Sequence, residues 1–164
     1  MRGRLMVIAF LFSFLAFSQQ KDPDVENGLG PFKFGTPVSQ FEGRVTKTLI
    51  ISYGQDFYLY EGGDTEVFYN LKVRKTNLGF YKDQLNYIDF YYRKPDNLAF
   101  QSLLGQLEED FGPAEQFNTI DEKGVLEAYR WKSKRVYLQL VRYGEGASDS
   151  DDKNMTVLMM ELMK

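Results

Sequence analysis

The sequence predicts one α+β domain, in which an antiparallel sheet packs against one long helix at residues 96–111 and one short helix at residues 37–42. Segments that alternate apolar and polar residues recur along the chain, and this period of two is typical of half-buried strands. One long segment instead has apolar residues at helical spacing, and such a stripe needs an apolar sheet face to close a core.

Residues 1–18 have the three parts of a secretory signal peptide. Two arginines open the segment, residues 5–17 are apolar, and Ala16 and Ser18 supply the small residues of a cleavage site. The apolar run is shorter than the ~20 residues of a membrane-spanning helix, so we expect removal rather than an uncleaved anchor. No cysteine is present to carry a lipid, so no stable membrane anchor is expected after cleavage.

Composition limits the compartment and the partners. Removal of residues 1–18 takes away two of the 20 Lys and Arg residues and none of the 23 Asp and Glu residues, which shifts the formal net charge from −3 to −5. A mildly acidic chain without a basic cluster is not expected to bind nucleic acid or an anionic membrane. A small exported chain without cysteine fits a periplasmic or secreted bacterial protein better than a eukaryotic one.

The mature chain is expected to begin with a flexible polar lead-in at residues 19–27, followed by a single domain at residues 28–164. The short helix at residues 37–42 is predicted because Thr36 is a suitable N-cap and Pro37 suits the first helical position.

Segments rich in β-branched and aromatic residues predict strands through the rest of the domain. They lie at residues 45–53, 57–60, 67–74, 78–81, 85–92, 125–132, 136–143 and 155–163. The first of these has no clean period. The last three predict an antiparallel meander that ends on a long hydrophobic strand.

The clearest signal is the strand at residues 85–92 and the long helix that follows it. One face of the strand is apolar and consists of Ile88, Phe90 and Tyr92. The helix has one apolar stripe, formed by Phe100, Leu103, Leu104, Leu107 and Phe111. Asp96 or Asn97 is expected to cap its start, and Gly112 with Pro113 to end it. We expect the stripe to pack on the apolar face of the strand.

Residues 34–41, F-G-T-P-V-S-Q-F, resemble the signature F/I-G-M-[ST]-x-x-[EQ]-V that opens the first helix of small exported bacterial domains. The SmpA/OmlA-type outer-membrane assembly lipoproteins and the β-lactamase-inhibitor-like proteins carry it. Gly35 and Gln40 match the signature, whereas Pro37 replaces its capping hydroxyl and Phe41 its aliphatic residue. The lipoprotein cysteine is absent. The resemblance implies an α+β domain that binds another protein, and it carries over no catalytic residue.

The absence of histidine and cysteine excludes several kinds of site. Ser-His-Asp and Cys-His triads need these residues, as do histidine- and thiolate-ligated zinc sites. Neither common nucleotide-binding glycine loop is present. Two strand carboxylates, Asp89 and Glu127, keep a carboxylate-based hydrolase as an alternative, although a solvated outer face is the preferred interpretation.

The loop before the last strand carries four acidic residues, Glu145, Asp149, Asp151 and Asp152. Their spacing fails the EF-hand pattern, because Lys153 stands where an oxygen ligand is required. The composition instead favours a flexible hairpin tip. The sequence therefore predicts no metal site, and it predicts no cofactor.

Aromatic residues make up 16% of the chain, and many tyrosines fall on predicted strands. If the helix covers the Ile88 face, Tyr87 and Tyr91 flank Asp89 on the opposite face. Neighbouring strands add either Tyr129 and Trp131 or Tyr137 and Tyr143, depending on strand phase. A face of this kind suits a protein interface or a carbohydrate platform, and ordinary cross-strand packing is the alternative. The candidate binding face consists of Tyr87, Asp89, Tyr91, Tyr129 and Trp131.

The function predicted from these observations is that of an exported, non-catalytic binding domain of the bacterial envelope or secretome. Its expected partner is another envelope protein or a secreted enzyme. The alternatives are a carbohydrate- or small-ligand-binding module and, third, a carboxylate-based hydrolase.

Export has a direct test. Protein recovered from the envelope or the medium should lack residues 1–18, because a signal peptidase removes such a segment. Intact-mass spectrometry measures this, and a mass that still includes Met1 to Ser18 would contradict the prediction.

Overall fold

The structure is a computed structural model that describes residues 21–52, 54–93, 96–117, 124–147 and 154–163. The predicted signal peptide lies outside the described residues. Three members of the acidic loop, Asp149, Asp151 and Asp152, lie outside them as well.

The described residues form one nine-stranded antiparallel sheet and one two-stranded sheet. The strands are β1 Gly28–Leu29, β2 Phe32–Lys33, β3 Val45–Ser52, β4 Gln55–Tyr60, β5 Val67–Phe68, β6 Leu71–Tyr81, β7 Gln84–Arg93, β8 Glu115–Gln116, β9 Val125–Lys132, β10 Val136–Tyr143 and β11 Met155–Leu162. The helices are α1 Pro23–Glu26 and α2 Asn97–Phe111, with 3₁₀ helices at Val38–Phe41 and Gly63–Thr65.

The predicted α+β class is wrong, because the described chain is mostly β and only α2 among its helices has seven or more residues. The short helix expected at residues 37–42 is the 3₁₀ helix Val38–Phe41. Its N-cap is Pro37, which makes no side-chain cap hydrogen bond, and Gly43 turns the chain at φ 74°. This segment has no capping side chain, and a glycine follows after one turn. It therefore lacks the interactions that would offset the cost of nucleating an α-helix.

Two meanders meet at the centre of the large sheet. The order β3-β4-β6-β7-β11-β10-β9-β8 places the last strand of each meander, β7 and β11, side by side, while β5 pairs with β6 beside this path. The central pair is antiparallel and runs without a break from Arg93 opposite Met155 to Tyr87 opposite Glu161. This regular register carries one row of side chains into the next across the middle of the sheet.

The long helix begins and ends as its sequence predicts. The Asp96 carboxylate accepts a hydrogen bond from the backbone N–H of Ala99 at 2.7 Å, which caps the first turn. Gly112 ends the helix at φ 85°. Phe100, Leu103 and Leu107 are fully buried in one cluster with Ile88, Phe90 and Tyr92 of β7. We call this face of the sheet the inner face.

The segment that contains Phe32 and Phe41 covers the rest of the inner face, where a second helix was expected. We call it the aromatic segment. The Phe32 ring lies 4.9 Å from the Tyr60 ring, edge to face, and 6.0 Å from the Phe90 ring. Phe41 packs edge to face on Phe80, with ring centroids 5.7 Å apart. Aromatic rings bury enough apolar surface to close the core without regular helical structure.

Residues 21–27, part of the segment expected to be a flexible lead-in, include α1, which lies against the β9–β10 hairpin. The Asp24 carboxylate accepts hydrogen bonds from the Ser133 hydroxyl at 2.6 Å and from the backbone N–H groups of Lys134 and Arg135. These bonds lower the pKa of Asp24, the Ser133 bond contributing most.

None of the helices in the described residues combines the length and the apolar character that crossing a membrane requires.

Two leucines of α2 provide a test of this packing. Leu103→Ala and Leu107→Ala should each lower the free energy of unfolding by ~2–5 kcal/mol, because both side chains are fully buried and truncation leaves a cavity. Leu98 is 80% exposed on the same helix, so Leu98→Ala is the matched control and should change stability by less than about 0.5 kcal/mol. Equal losses for all three variants in urea titrations would mean that the helix faces the sheet differently.

Candidate functional site

The outer face of the sheet, opposite the inner face, carries the candidate site. Alternation along β7 places Tyr87, Asp89 and Tyr91 there. Their neighbours on the inner face are buried to within 1% exposure, whereas Tyr87 and Tyr91 are only half-buried. Around Tyr87 the outer face therefore presents side-chain surface that the rest of the described chain leaves partly open, whereas Tyr91 packs against a second buried cluster that includes Val141 and Val157.

Strand register extends this face across the sheet. Asp89 lies between Asn77 of β6 and Met159 of β11, and the same row continues through Gln139 and Arg130. The neighbouring row runs from Tyr87 through Glu161 and Tyr137 to Lys132. Most of these side chains are half-buried, so they form a mosaic of tyrosine, methionine, amide and charged groups.

Two of the five candidate residues lie on the inner face. Trp131 is 5% exposed, and its Nε1–H donates a 2.6 Å hydrogen bond to the carbonyl of Gly112 after α2. The Tyr129 ring lies 6.2 Å from the Phe100 ring of α2. Both are therefore contacts between β9 and the helix, and the structure does not bring them together with Tyr87, Asp89 and Tyr91.

Tyr137 and Tyr143 are the other pair that the sequence allows, and both alternate onto the outer face of β10. A signal for this was present in the sequence. Leu138 and Leu140 are core residues, so the residues between them point outward, and the β9–β10 hairpin then pairs Tyr129 with Leu140 on the inner face.

Asp89 is the most unusual group of the outer face, because its carboxylate is only 3% exposed. It accepts hydrogen bonds from the backbone N–H of Asn77 at 3.0 Å and from the Asn77 side-chain amide at 3.4 Å. Burial raises the pKa of Asp89 to about 7, although the two bonds from Asn77 and the charge of Lys75 favour the ionised form. The polar residue that marks the wetter face in the sequence is thus enclosed by its neighbours.

Aromatic and charged groups hold the surroundings of Asp89 in place. The Tyr87 ring packs edge to face on the Phe57 ring, with ring centroids 5.4 Å apart. Gly79, on the strand between them, makes space for this contact, because a Cβ atom at position 79 would lie only 2.9 Å from the Tyr87 Cβ. Burial and then the charge of Asp89 raise the pKa of Tyr87 well above its usual value. The Lys75 ammonium lies 4.2 Å from the centroid of the Tyr91 ring.

The carboxylate pair considered for hydrolysis is not assembled. Glu127 lies on the inner face, where it accepts a 2.9 Å bond from Arg142 and a 3.3 Å bond from the Tyr129 hydroxyl. Asp89 lies on the outer face, so the sheet separates the two carboxylates and they cannot act on one glycosidic bond. In the part of the chain that the structure describes, no three carboxylates gather closely enough to hold a metal ion.

No protein-family model, curated protein or solved structure matches this chain. The site is therefore interpreted from its own geometry. Asp89 is too enclosed to meet a substrate, whereas the tyrosines around it offer contact area.

The raised pKa of Asp89 predicts a pH-dependent stability. Its folded value of about 7 exceeds the unfolded value of 3.8, so the folded protein keeps a proton that the unfolded chain releases. Proton binding by Asp89 therefore contributes fully to the free energy of unfolding below about pH 4, and this contribution is lost as the pH rises through about 7. The free energy of unfolding falls by up to about 1.4 kcal/mol per pH unit in this range. Asp89→Asn should flatten this decline and make the protein more stable than wild type above about pH 7.

Urea unfolding of wild type and variant across this pH range measures the effect. Asp83→Asn is the matched control, since Asp83 is exposed on a turn and the variant should keep the wild-type slope. A wild-type stability that does not fall between about pH 4 and 7 would contradict the assignment of a buried, proton-binding Asp89.

Proposed function

We propose that this protein is an exported, non-catalytic binding domain of the bacterial envelope or secretome, and that its outer sheet face binds another protein. The observation that carries the proposal is the contrast between the two faces. The inner face is closed by α2 and the aromatic segment, while Tyr87, Tyr91 and Tyr137 on the outer face are half-buried.

The chemistry of the outer face suits a protein partner. Tyrosine, arginine and methionine are enriched in protein interfaces, and tyrosine is common among the residues that dominate binding energy. Met159 at the centre of the mosaic is an adaptable contact, and Glu161 beside it accepts a 3.2 Å hydrogen bond from Gln55. Charged and apolar groups alternate across the face, which favours a specific partner over general adhesion.

Pre-organisation adds to this suitability. Tyr87 is held by Phe57, and Tyr91 is held beneath the ammonium of Lys75. Side chains that are already fixed lose little conformational entropy when a partner binds, so more of the contact energy appears as affinity.

Export and resemblance support the same function. A secretory leader at residues 1–18 would place the domain in the periplasm or outside the cell, where other envelope and secreted proteins are available as partners. The segment at residues 34–41 resembles exported domains that bind other proteins.

Site-specific crosslinking in cells that produce the protein tests the proposal. A photoreactive phenylalanine derivative at position 137 should form a covalent adduct with one protein partner, because Tyr137 is on the outer face. The same derivative at position 98 is the control, since Leu98 is exposed on α2 on the other side of the sheet. Adducts at position 98 and none at position 137 would overturn the proposed face.

The purified partner then allows an affinity measurement. Tyr91→Ala and Tyr137→Ala should each weaken binding by about tenfold or more, as expected for hot-spot tyrosines, while circular dichroism and melting show an intact fold. Leu98→Ala should bind as wild type does. Unchanged affinity in both tyrosine variants would show that the partner uses another surface.

A further inference from the structure

A cleft of about 270 Å³ lies where residues 21–30, the β5–β6 turn and the C-terminal end of α2 meet. Its volume is close to the lower limit of the range that small-molecule sites occupy, so it suits a ligand built on a single ring. Three of its side chains pack against the inner-face core, so the cleft lies opposite the proposed protein-binding face and goes beyond the proposed function. The lining includes Lys21, Glu26, Phe68, Tyr69, Asp110 and Phe111.

Direct contacts show that the polar groups of the cleft surround one point. The Asp110 carboxylate accepts a 2.7 Å hydrogen bond from the Tyr69 hydroxyl and a 2.8 Å hydrogen bond from the Lys21 ammonium, both at Oδ2. The side chains of Lys21 and Asp110 remain 46% and 28% exposed, so the ion pair is open to solvent. A carboxylate, a phenol and an ammonium therefore face the same accessible space.

These groups keep hydrogen-bonding capacity for a ligand. Within the described residues, neither Asp110 Oδ1 nor the Glu26 carboxylate accepts a hydrogen bond, and the Lys21 ammonium uses one of its three donors. Burial, then the bond to Asp110, raises the pKa of Tyr69, and the charge of Glu26 adds to this increase. The hydroxyl therefore stays protonated and keeps donating to Asp110, which leaves its own oxygen free to accept.

The backbone of Tyr69 is held in an unfavourable conformation at this cleft. Phe68 pairs with Leu71, so Tyr69 and Asn70 form a two-residue turn, and both have positive φ, at 50° and 59°. Turns of this type favour asparagine and glycine, and a bulky side chain in the left-handed region is strained. Such strain is typical of ligand-binding positions. The Asn70 amide donates a 3.1 Å hydrogen bond to Gln106 of α2, which fixes the turn beside the helix.

Aromatic rings border the polar groups. Phe68 and Phe111 are half-buried, so each keeps part of its ring accessible. The Phe68 ring is held by the Phe90 ring, with centroids 4.6 Å apart. The negative face of an aromatic ring attracts the weakly positive C–H groups on the face of a sugar ring.

We propose that this cleft binds a neutral sugar unit, with its hydroxyl groups at Asp110, Glu26 and Lys21 and its C–H groups against Phe68 and Phe111. A sugar hydroxyl both donates and accepts, so one ring can serve two carboxylates and an ammonium together. The two carboxylates repel an anion, and a cation would compete with Lys21 for Asp110. The ligand class is therefore that of neutral monosaccharides and terminal sugars of glycans.

NMR titration of the isotope-labelled protein tests the proposal, with the methyl glycosides of glucose, galactose, mannose and N-acetylglucosamine as ligands. At least one glycoside should bind, one molecule per chain, and shift the amide signals of Tyr69 and Asp110. Asp110→Asn should weaken binding by about tenfold or more, since it removes a charge-assisted hydrogen bond. Glu26→Gln should do the same and keep the fold, because the Glu26 side chain makes no hydrogen bond within the described residues.

Glu109→Gln is the matched control. Glu109 precedes Asp110 on α2, is exposed and lies outside the cleft lining, so this variant should bind the sugar as wild type does. Tyr137→Ala on the outer face should also bind as wild type does. Loss of sugar binding in Tyr137→Ala would place the sugar on the outer face and overturn the proposal.

Two further ligands separate the parts of the proposal. Cyclohexanol keeps the ring with a single hydroxyl group, and the uronic acid of the binding sugar adds a carboxylate, so both should bind at least about tenfold more weakly than the neutral sugar. Glu26→Gln should reduce the difference between the uronic acid and the neutral sugar. Binding of none of the glycosides, unchanged binding in both Asp110→Asn and Glu26→Gln, or cyclohexanol binding as tight as the sugar would each overturn the proposal.

Discussion

The rest of the structure depends on the packing of α2 and the aromatic segment on Ile88, Phe90 and Tyr92. These three side chains are almost completely buried. A shift of β7 by one residue in register would move all three to the other face of the sheet and expose them together. Because side chains alternate, burying this set forces Tyr87, Asp89 and Tyr91 to the other side. The unbroken register between β7 and β11 then transmits that choice to Tyr137 and Glu161. The outer face is thus a consequence of where the core lies.

Two local features depart from what a stability-optimised sheet would contain. Asp89 is a carboxylate that is almost completely buried and accepts hydrogen bonds from two donors of Asn77, and the Tyr92 hydroxyl is buried with no acceptor among the described residues. Each costs free energy that the hydrophobic core has to offset. They lie three residues apart on β7 and face opposite sides of the sheet, Asp89 under the proposed protein-binding face and Tyr92 in the core. Functional sites are where such local costs are commonly retained.

Elements that are specified by residues close together in the sequence could be predicted. Elements that depend on contacts with distant parts of the chain could not. The α2 boundaries follow from Asp96 and Gly112, which act on their own neighbours. The predicted helix at residues 37–42 was wrong because Thr36 and Pro37 look like a helix start, yet no side chain caps it and Phe41 is drawn into the aromatic cluster. Trp131 was assigned to the binding face because its helix-side partner, the Gly112 carbonyl, lies 19 residues away in the chain.

The sequence by itself determined the alternation of β7, the apolar stripe of α2, and the absence of histidine- and cysteine-based chemistry, because these follow from residue order and type alone. Only the tertiary structure decided that Tyr129 and Trp131 pack against α2, that Asp89 and Glu127 lie on opposite faces, and that a bulge leaves Arg74 without a partner on β7. Those outcomes depend on the pairing register and on side-chain burial, which are set by contacts between segments far apart in the chain.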